Sequence, residues 1–365
     1  MFSEAAAMEP TSKIKVNMIV RRHGNHASVS GYDRIADYID CRLFKRSRTL
    51  TLPQRIMTRA LSRWASGKGS QWYGREDFVS ETAVMRQWYA DTNQIFHFVY
   101  GENSFRYTGL LNRGSRNNAI VCTYHAPPER FQEVVQDRRH MADLDAALVV
   151  SRVLGDYLKS ELGDKKVHFI PHGVDTEFFV PAPLLRASDQ FKCLFVGSHL
   201  RDFELLASVA EHFIGVDERI KFDVITLRRD FHYFDGLTNV TTRTGISDEE
   251  LRHAYQAADL LLMPLKDATA NNSLLEAMAC GLPIVVTELP GVRDYVNDAS
   301  ACFVRRGDCR DLIQTILRLR DDPQLRDQLG VNARTESLNF SFEEVSAQTF
   351  AFYEQVLANK QKGAR

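Results

Sequence analysis

The stretch from Asn271 to Val286 (NNSLLEAMACGLPIVV) combines residue types that could bind a phosphate-bearing ligand. A helix that begins at Asn271, Asn272 and Ser273 presents unpaired N–H groups and the positive end of its dipole, both of which attract phosphate oxygens. Glu276 follows within about the first turn, next to small residues, and its carboxylate could accept hydrogen bonds from the two hydroxyls of a ribose. The alternative is a plain βαβ unit, in which Glu276 is only a favourable charge near a helix N-terminus.

Two further polar sites follow predicted strands. His125 comes directly after the apolar run Ala119 to Tyr124, so it lies at the carboxyl end of a strand, where ligands bind in open α/β sheets. The alternative is a loop histidine that caps a backbone carbonyl. The first strand runs into a turn rich in glycine and serine, where Arg21, Arg22, His23 and His26 could bind an anionic acceptor near Gly31 and Tyr32. A solvated basic turn is the alternative there.

The segment from Arg42 to Arg75 is strongly basic and contains no Asp or Glu. Within it, Pro53 to Trp64 predicts a helix with Ile56, Met57, Ala60, Leu61 and Trp64 on one face and Arg55, Arg59 and Arg63 on another. A basic amphipathic helix of this kind is typical of proteins that dock on an anionic membrane surface. The alternative is a surface helix that packs its apolar face on the N-terminal core.

Apolar, β-branched runs alternate with helical patterns along the chain, which predicts an α/β fold with parallel sheets covered by helices. The stretch Pro171 to Pro183 divides the strands into two sets and predicts a linker. We therefore expect a leader at 1–12, one Rossmann-like domain at 13–180 and a second at 181–341, with a helix at 342–360 that packs back on the first domain. The predicted strands are Ile14–Val20, Ile95–Tyr100, Ala119–Tyr124, Ala146–Val150, Val167–Ile170, Lys192–Val196, Phe222–Thr226, Val240–Thr242, Leu260–Met263 and Pro283–Val286, and the helical candidates include Val29–Ile39, Thr82–Asp91, Asp202–Phe213 and Asp248–Ala257.

Composition narrows the function classes. The net charge of −1 provides no global field that would attract nucleic acid, so we expect no nucleic-acid partner. Six scattered cysteines without metal-ligand spacing favour a reducing compartment, and no apolar run is long enough to span a bilayer. With no signal peptide in the sequence of the N-terminus, we expect a cytoplasmic protein, peripheral on the inner face of the membrane if the basic helix docks there.

Several segments together resemble retaining GT-B glycosyltransferases of the family-4 type (glycosyl transferases group 1). LLEAMACGLPIVV is similar to the C-terminal motif of that family, and IPHGVDTEFF (Ile170 to Phe179) to its interdomain motif. The strand CLFVG, which ends at Gly197, resembles the strand that begins the nucleotide domain. With His125, the resemblance covers roughly Ala119 to Val296 and implies two Rossmann-like domains that face a central cleft.

The resemblance implies roles for individual residues. Glu276 matches the second Glu of the E-x7-E pattern, which holds the ribose, and His125 matches a histidine that contacts the donor sugar near the reacting carbon. Ala268 stands where the first, sugar-binding Glu is common, which leaves Asp267, Asn271 and Asn272 as candidates to replace it. Ser198 and Phe203 stand where an Arg/Lys pair neutralises the diphosphate, so Arg201 and Lys266 are the candidate replacements.

The sequence therefore predicts a retaining, metal-independent glycosyltransferase that uses a UDP- or GDP-sugar as donor and has no cofactor. We expect glycan, polysaccharide or glycolipid biosynthesis as its setting. Two alternatives stay open. One is a non-catalytic binding or scaffolding protein of the same fold, which the absence of the first Glu and of the Arg/Lys pair would allow, and the other is an epimerase acting on nucleotide sugars. The sequence does not identify the sugar, the base, the acceptor or the oligomeric state.

Overall fold

The computed structural model describes residues 14–22, 28–46, 49–61, 69–114, 117–182 and 189–363, and contains two six-stranded sheets. The first sheet has the order β2-β1-β3-β4-β5-β6 and the second β12-β11-β10-β7-β8-β9, with every neighbouring pair parallel. This confirms the predicted α/β architecture of two Rossmann-like sheets. The strands are β1 Lys15–Val20, β2 Cys41–Lys45, β3 Gln94–Phe98, β4 Ala119–Tyr124, β5 Ala146–Val149, β6 Val167–Phe169, β7 Phe191–Val196, β8 Ile220–Ile225, β9 Val240–Arg243, β10 Leu260–Met263, β11 Ile284–Thr287 and β12 Ala301–Val304.

Helices cover both faces of each sheet, so the central strands are buried throughout, as their continuous apolar runs require. The α-helices are α1 Leu52–Ala60, α2 Arg75–Ala90, α3 Gly101–Ser104, α4 Pro128–Val134, α5 Arg152–Leu162, α6 Phe203–Phe213, α7 Asp248–Ala257, α8 Asn272–Ala279, α9 Pro290–Arg293, α10 Cys309–Asp321, α11 Pro323–Ser337 and α12 Phe342–Gly363. Short 3₁₀ segments join several of these elements.

Three details differ from the sequence predictions. The predicted helix at Val29–Ile39 is wrong, because this stretch forms only a 3₁₀ segment at Tyr32–Asp37. The edge strand β2 was not predicted, since three of its five residues are exposed and the apolar run is interrupted. The short strand β12 was not predicted either.

Two chain segments connect the domains and lie side by side. The backbone N–H of Val174 donates to the carbonyl of Phe340 at 2.8 Å, and that of Phe342 donates to the carbonyl of Val174 at 3.2 Å. A Cβ at Gly173 would lie 2.4 Å from the Phe342 ring, so glycine permits this close approach. Helix α12 then packs on the first sheet through Val345, Phe352 and Tyr353, among others.

The order of the strands places two loops at the centre of the cleft. In each sheet, strands are added first on one side of the first strand of the domain, β1 or β7, and then on its other side. Ligands of open α/β sheets bind at the point where the direction of strand addition changes. Among the residues that follow β1 and β7, Ser30 contacts Glu276 of α8, and Arg201 contacts Asn271 at the N-terminus of that helix.

Candidate functional site

A buried cation lies at the N-terminus of α8. Arg201 is 8% exposed, and its guanidinium donates to Asn271 Oδ1 at 3.2 Å and to Ser273 Oγ at 3.4 Å. Further bonds go to the carbonyls of Val196 and His199. No carboxylate of the described residues forms an ion pair with it, and burial lowers the pKa of Arg201 to about 10, so it stays charged at neutral pH. The cation and the helix N-terminus together create a positive site.

Gly197 makes room for this cation. Its φ of +103° lies in a region that favours glycine, and a Cβ there would lie 2.5 Å from Arg201 Nη2. The glycine at the end of β7 therefore permits the guanidinium to fold back against its own strand. Any side chain at this position would displace Arg201 from the N-terminus of α8.

Glu276 faces the cleft from α8 and is 3% exposed. Its Oε1 accepts a hydrogen bond from Ser30 Oγ at 2.5 Å, and its Oε2 accepts one from Tyr255 Oη at 2.7 Å. Burial raises the pKa of Glu276, and the two hydroxyl donors only partly offset this effect. Both partners are hydroxyls, the same donors that a ribose would offer. Neither Ser30 nor Tyr255 could be assigned from the sequence, because they lie 246 and 21 positions away.

Residues 28–32, which lie between β1 and β2, contact both domains. Gly31 has a φ of +103°, which allows the turn that directs Ser30 toward Glu276 and Tyr32 toward the first domain. Tyr32 lies edge-on to His125, with ring centroids 4.1 Å apart. The backbone N–H of Ser28 donates to Asp248 at the start of α7, at 2.8 Å and 3.0 Å to its two oxygens. This loop thus contacts both halves of the cleft at once.

His125 lies at the end of β4 and is held by neighbouring groups. Glu102 of α3 accepts hydrogen bonds from the backbone N–H groups of His125 and Ala126, and its Oε2 lies 3.5 Å from His125 Nδ1. From the other domain, Thr269 Oγ1 donates to the His125 carbonyl. His125 Nε2 has no hydrogen-bond partner in the described part of the chain. Glu102 was not predicted, since nothing local marks a glutamate of a four-residue helix.

The remaining predicted donor residues divide into two groups. Asp267 is partly buried, its Oδ1 accepts a hydrogen bond from the Ala268 N–H at 2.8 Å, and burial raises its pKa. Asn272 is the first residue of α8 and is half-buried. Lys266, in contrast, forms an ion pair at 2.9 Å with Glu204, and both side chains are about half exposed. The contacts of Lys266 are therefore at the surface of the domain rather than with Arg201.

The acceptor-side predictions fall partly outside the described residues, since His23 and His26 lie there. Arg22 donates to Asp33 at 3.2 Å and to the Ser28 carbonyl at 2.7 Å, so it supports the loop after β1. Arg21 donates to the Trp72 carbonyl. Both arginines are thus engaged within the first domain.

The predicted amphipathic helix forms as α1, while its expected end, at Arg63 and Trp64, lies outside the described residues. Thr58 is buried and Met57 packs on Tyr73 and Phe78, whereas Leu52 is 71% and Ile56 60% exposed. Arg55 and Arg59 are exposed as well. The helix therefore presents two aliphatic side chains and two cations to solvent. Within the described ranges, no helix has both the length and the apolarity to cross a membrane.

The chain is similar in sequence to known glycosyltransferases. The family model described as Glycosyl transferases group 1 matches residues 177–322. An MMP alpha-(1->4)-mannosyltransferase of Mycolicibacterium hassiacum is 26% identical over 302 residues, which are 71% of each chain. A D-inositol 3-phosphate glycosyltransferase of Paenarthrobacter aurescens is 25% identical over 66% of this chain and 64% of its own length, slightly under two thirds.

Solved structures share the fold over nearly the whole chain. Sucrose-phosphate synthase from Thermosynechococcus elongatus superposes with a TM-score of 0.70 and 17% identity, over 95% of this chain and 100% of that one. Anabaena HepE in complex with UDP superposes with a TM-score of 0.69 and 11% identity, over 94% and 100%. Both are similar to this chain in the arrangement of two domains around a cleft.

Proposed function

We propose that this chain, a GT-B glycosyltransferase of the group 1, family-4 type, transfers a sugar from a UDP- or GDP-sugar to an acceptor hydroxyl. The transfer retains the anomeric configuration and needs no metal ion. The observation that carries the proposal is Arg201, a buried cation at the N-terminus of α8 that forms no ion pair with a carboxylate of the described residues. Glu276 lies on the same helix and accepts hydrogen bonds from two side-chain hydroxyls. The HepE structures with UDP and with UDP-glucose support a nucleotide carrier.

Arg201 would stabilise the diphosphate as it leaves. A buried cation without an acidic partner is costly, and a bound diphosphate would supply the missing negative charge. The guanidinium already donates to Asn271 and Ser273, so these side chains and the N–H groups of α8 would bind the phosphate oxygens beside it. Charge that develops on the leaving group in the transition state would then meet preorganised positive groups.

Glu276 would hold the ribose. Its two oxygens already accept hydrogen bonds from Ser30 and Tyr255, which stand in for the two ribose hydroxyls. Ribose would replace Ser30, which belongs to the other domain, and share the carboxylate with Tyr255. The donor is thereby oriented with its sugar toward His125 and Asp267.

Retention without a covalent intermediate requires attack from the face that the diphosphate leaves. The bond from the acceptor oxygen to the anomeric carbon forms as the bond from that carbon to the phosphate oxygen breaks. The acceptor proton passes to the departing phosphate oxygen, so the step is balanced. His125, Asp267 and Asn272 would bind hydroxyls of the transferred sugar, and the contact between Thr269 and His125 would close the cleft around it.

The first test is a donor panel. We expect release of nucleotide from a UDP- or GDP-sugar when the purified chain is incubated with a cell lipid extract, and unchanged release in EDTA. The anomeric configuration of the product, measured by NMR, should equal that of the donor. An ADP-sugar arm serves as the control for base selectivity.

Other outcomes would replace the proposal. Absence of nucleotide binding by calorimetry would favour a non-catalytic protein of the same fold, and conversion of the nucleotide sugar without transfer would favour an epimerase. Loss of activity in EDTA that Mg²⁺ restores would contradict metal independence. An inverted product would contradict attack from the leaving-group face.

We also propose that α1 docks the enzyme on an anionic lipid surface. Leu52 and Ile56 lie one turn apart and point to solvent, beside the exposed Arg55 and Arg59. Exposed aliphatic side chains next to cations suit the boundary between headgroups and acyl chains. Each cation near such a surface contributes about 1 kcal/mol, so the pair gives reversible binding.

Vesicle flotation tests this surface. The chain should float with phosphatidylglycerol vesicles and not with phosphatidylcholine vesicles, and the double variant Leu52→Ser, Ile56→Ser should lose about tenfold or more in binding. Val331→Ser is the matched control, because Val331 is 63% exposed on α11 of the other domain. Equal binding by the double variant and the wild type would contradict docking through α1.

A further inference from the structure

Glu102 is brought to His125 by a close approach of α3 to β4. A Cβ at Gly101 would lie 2.6 Å from the Tyr124 ring, so only glycine lets the short helix lie against the strand. Glu102 is 3% exposed, and one of its oxygens accepts hydrogen bonds from the N–H groups of His125 and Ala126, the latter at 2.9 Å. Its other oxygen lies 3.5 Å from His125 Nδ1.

The carboxylate of Glu102 is ionised despite its burial. Burial by itself would raise the pKa of Glu102, but the imidazole of His125 and the two backbone N–H groups outweigh it and lower the pKa. In the described part of the chain, His125 Nδ1 is the basic side-chain nitrogen that lies within 4 Å of this carboxylate, and no Arg or Lys forms an ion pair with it. A buried anion with this surrounding attracts a proton to the nearest nitrogen, which is Nδ1.

Two aromatic rings hold the His125 ring in addition to Glu102. Tyr32 contacts the ring edge-on at 4.1 Å, and Tyr100 lies 4.8 Å from it between centroids with the two ring planes tilted by 31°. The main chain is held by the two N–H groups that donate to Glu102 and by the contact of the His125 carbonyl with Thr269. What Glu102 adds is a choice between the two nitrogens of the ring.

We propose that Glu102 is a positioning residue that fixes the Nδ1–H tautomer of His125, so that Nε2 accepts a hydrogen bond from a hydroxyl of the transferred sugar. The inference rests on the proposed function and deepens it. His125 Nε2 is buried and has no partner among the described residues, as an acceptor reserved for a ligand would be. The 3.5 Å distance to Nδ1 is long, as hydrogen bonds of unliganded active sites often are before substrate tightens them. A histidine whose second nitrogen is directed in this way presents a defined lone pair to its substrate.

The test compares Glu102→Gln with Glu81→Gln. Glutamine keeps the size of Glu102 and can still accept from both N–H groups, but its amide donates to Nδ1 and would favour the Nε2–H tautomer. We expect kcat to fall roughly 10- to 100-fold, with little change in nucleotide affinity. The ¹⁵N shifts of His125, assigned with His125→Gln, should change from the Nδ1–H to the Nε2–H pattern.

Glu81 is a matched control because it is also a fully buried carboxylate of the first domain. It accepts hydrogen bonds from the N–H groups of Arg106, Tyr107 and Thr108 and from the Tyr73 hydroxyl, away from His125. Its Gln variant should leave kcat and the His125 tautomer unchanged. Glu102→Asp, which keeps the charge, should recover part of the activity and the wild-type tautomer, and it replaces the Gln variant if that chain does not fold.

The outcomes separate this inference from the proposed function. If the wild type transfers no sugar while its His125 shows the Nδ1–H tautomer and the Gln variant reverses it, the proposed function fails and the positioning by Glu102 stands. If the wild type is active and Glu102→Gln changes neither kcat nor tautomer, the positioning role is wrong. An equal loss of kcat in Glu81→Gln would show a general effect of buried charge and would overturn the inference.

Discussion

Two buried carboxylates on opposite sides of the cleft have pKa values that are shifted in opposite directions. Glu276 in the second domain accepts hydrogen bonds from two side-chain hydroxyls, and burial raises its pKa. Glu102 in the first domain accepts from two backbone N–H groups and lies beside an imidazole, and these partners lower its pKa in spite of burial. Both side chains are 3% exposed, so the hydrogen-bonding partners, and not the degree of burial, decide the direction of the pKa shift.

The nature of the partners also indicates what each carboxylate can do. A hydroxyl on a loop of the other domain can be replaced by a hydroxyl of a ligand, so Glu276 is suited to exchange partners. Backbone N–H groups at a strand end cannot leave, so Glu102 is suited to orient a neighbouring side chain permanently. We therefore propose that the same residue type binds substrate on one side of the cleft and positions a side chain on the other.

The largest expected effect is the loss of nucleotide binding when the carboxylate of Glu276 is removed. Glu276→Ala should weaken UDP or GDP binding about 100-fold, because two charge-assisted hydrogen bonds contribute roughly 1.5 kcal/mol or more each. Isothermal titration calorimetry measures the change. Glu211→Ala, an exposed carboxylate on α6, is the control and should bind like the wild type. If Glu276→Ala binds the nucleotide as tightly as the wild type, Glu276 does not bind the ribose.

The second prediction concerns stability without ligand, where the two carboxylates should behave in opposite ways. The folded-state pKa of Glu276 lies above its unfolded value, so ionised Glu276 lowers the free energy of unfolding progressively as pH rises through that interval. Glu276→Gln should therefore raise stability at neutral pH. The pKa of Glu102 lies below its unfolded value, so its contribution is present above that value and is lost as pH falls through the folded pKa.

Glu102→Gln should accordingly lower the free energy of unfolding at neutral pH by about 1–3 kcal/mol, with a smaller loss in acid. Urea unfolding of both variants at pH 7 and in mildly acidic buffer measures these differences. If both variants change the free energy of unfolding at neutral pH in the same direction, the contrast between the two carboxylates is wrong.

The smallest expected effect tests whether Ser30 competes with the nucleotide. Ser30→Ala removes a hydroxyl that ribose would have to displace from Glu276, so nucleotide affinity should rise a few-fold, as expected for a neutral hydrogen bond of about 1 kcal/mol. Ser28→Ala is the matched control, because it loosens the same loop at Asp248 without touching Glu276. A weaker affinity in Ser30→Ala would instead mean that Ser30 helps to hold the ribose.

The donor side of the cleft was largely predictable because its signals are local. An apolar strand, a polar loop, an Asn-capped helix and Gly281 follow one another between Leu260 and Val286, and the structure has β10, α8 and β11 there. Glu276 and Asn271 lie on one helix, so their relation follows from helical geometry alone. The position of Arg201 could not be predicted from local sequence alone, because its contact with Asn271 depends on the pairing of β7 with β10.

Failures of prediction have equally specific causes. Strand β2 alternates polar and partly buried residues at a sheet edge, so it lacks the apolar run that marks a central strand. The stretch after β1 has helical spacing of apolar residues, but Gly31 at φ +103° and the contacts of Ser28 and Ser30 with the other domain leave only a 3₁₀ segment. Tertiary contacts there outweigh local propensity.

The sequence by itself determined the alternation of strands and helices, the two sheets, and the helix N-terminus that bears Glu276, because these follow from periodicity and capping over short stretches. Only the tertiary structure decided which groups meet across the cleft. Ser30 reaches Glu276 over 246 positions, and Glu102 reaches His125 over 23 through the closeness that Gly101 allows. Hydrogen bonds and burial act over a few ångströms in space, and those distances exist only after both sheets have packed.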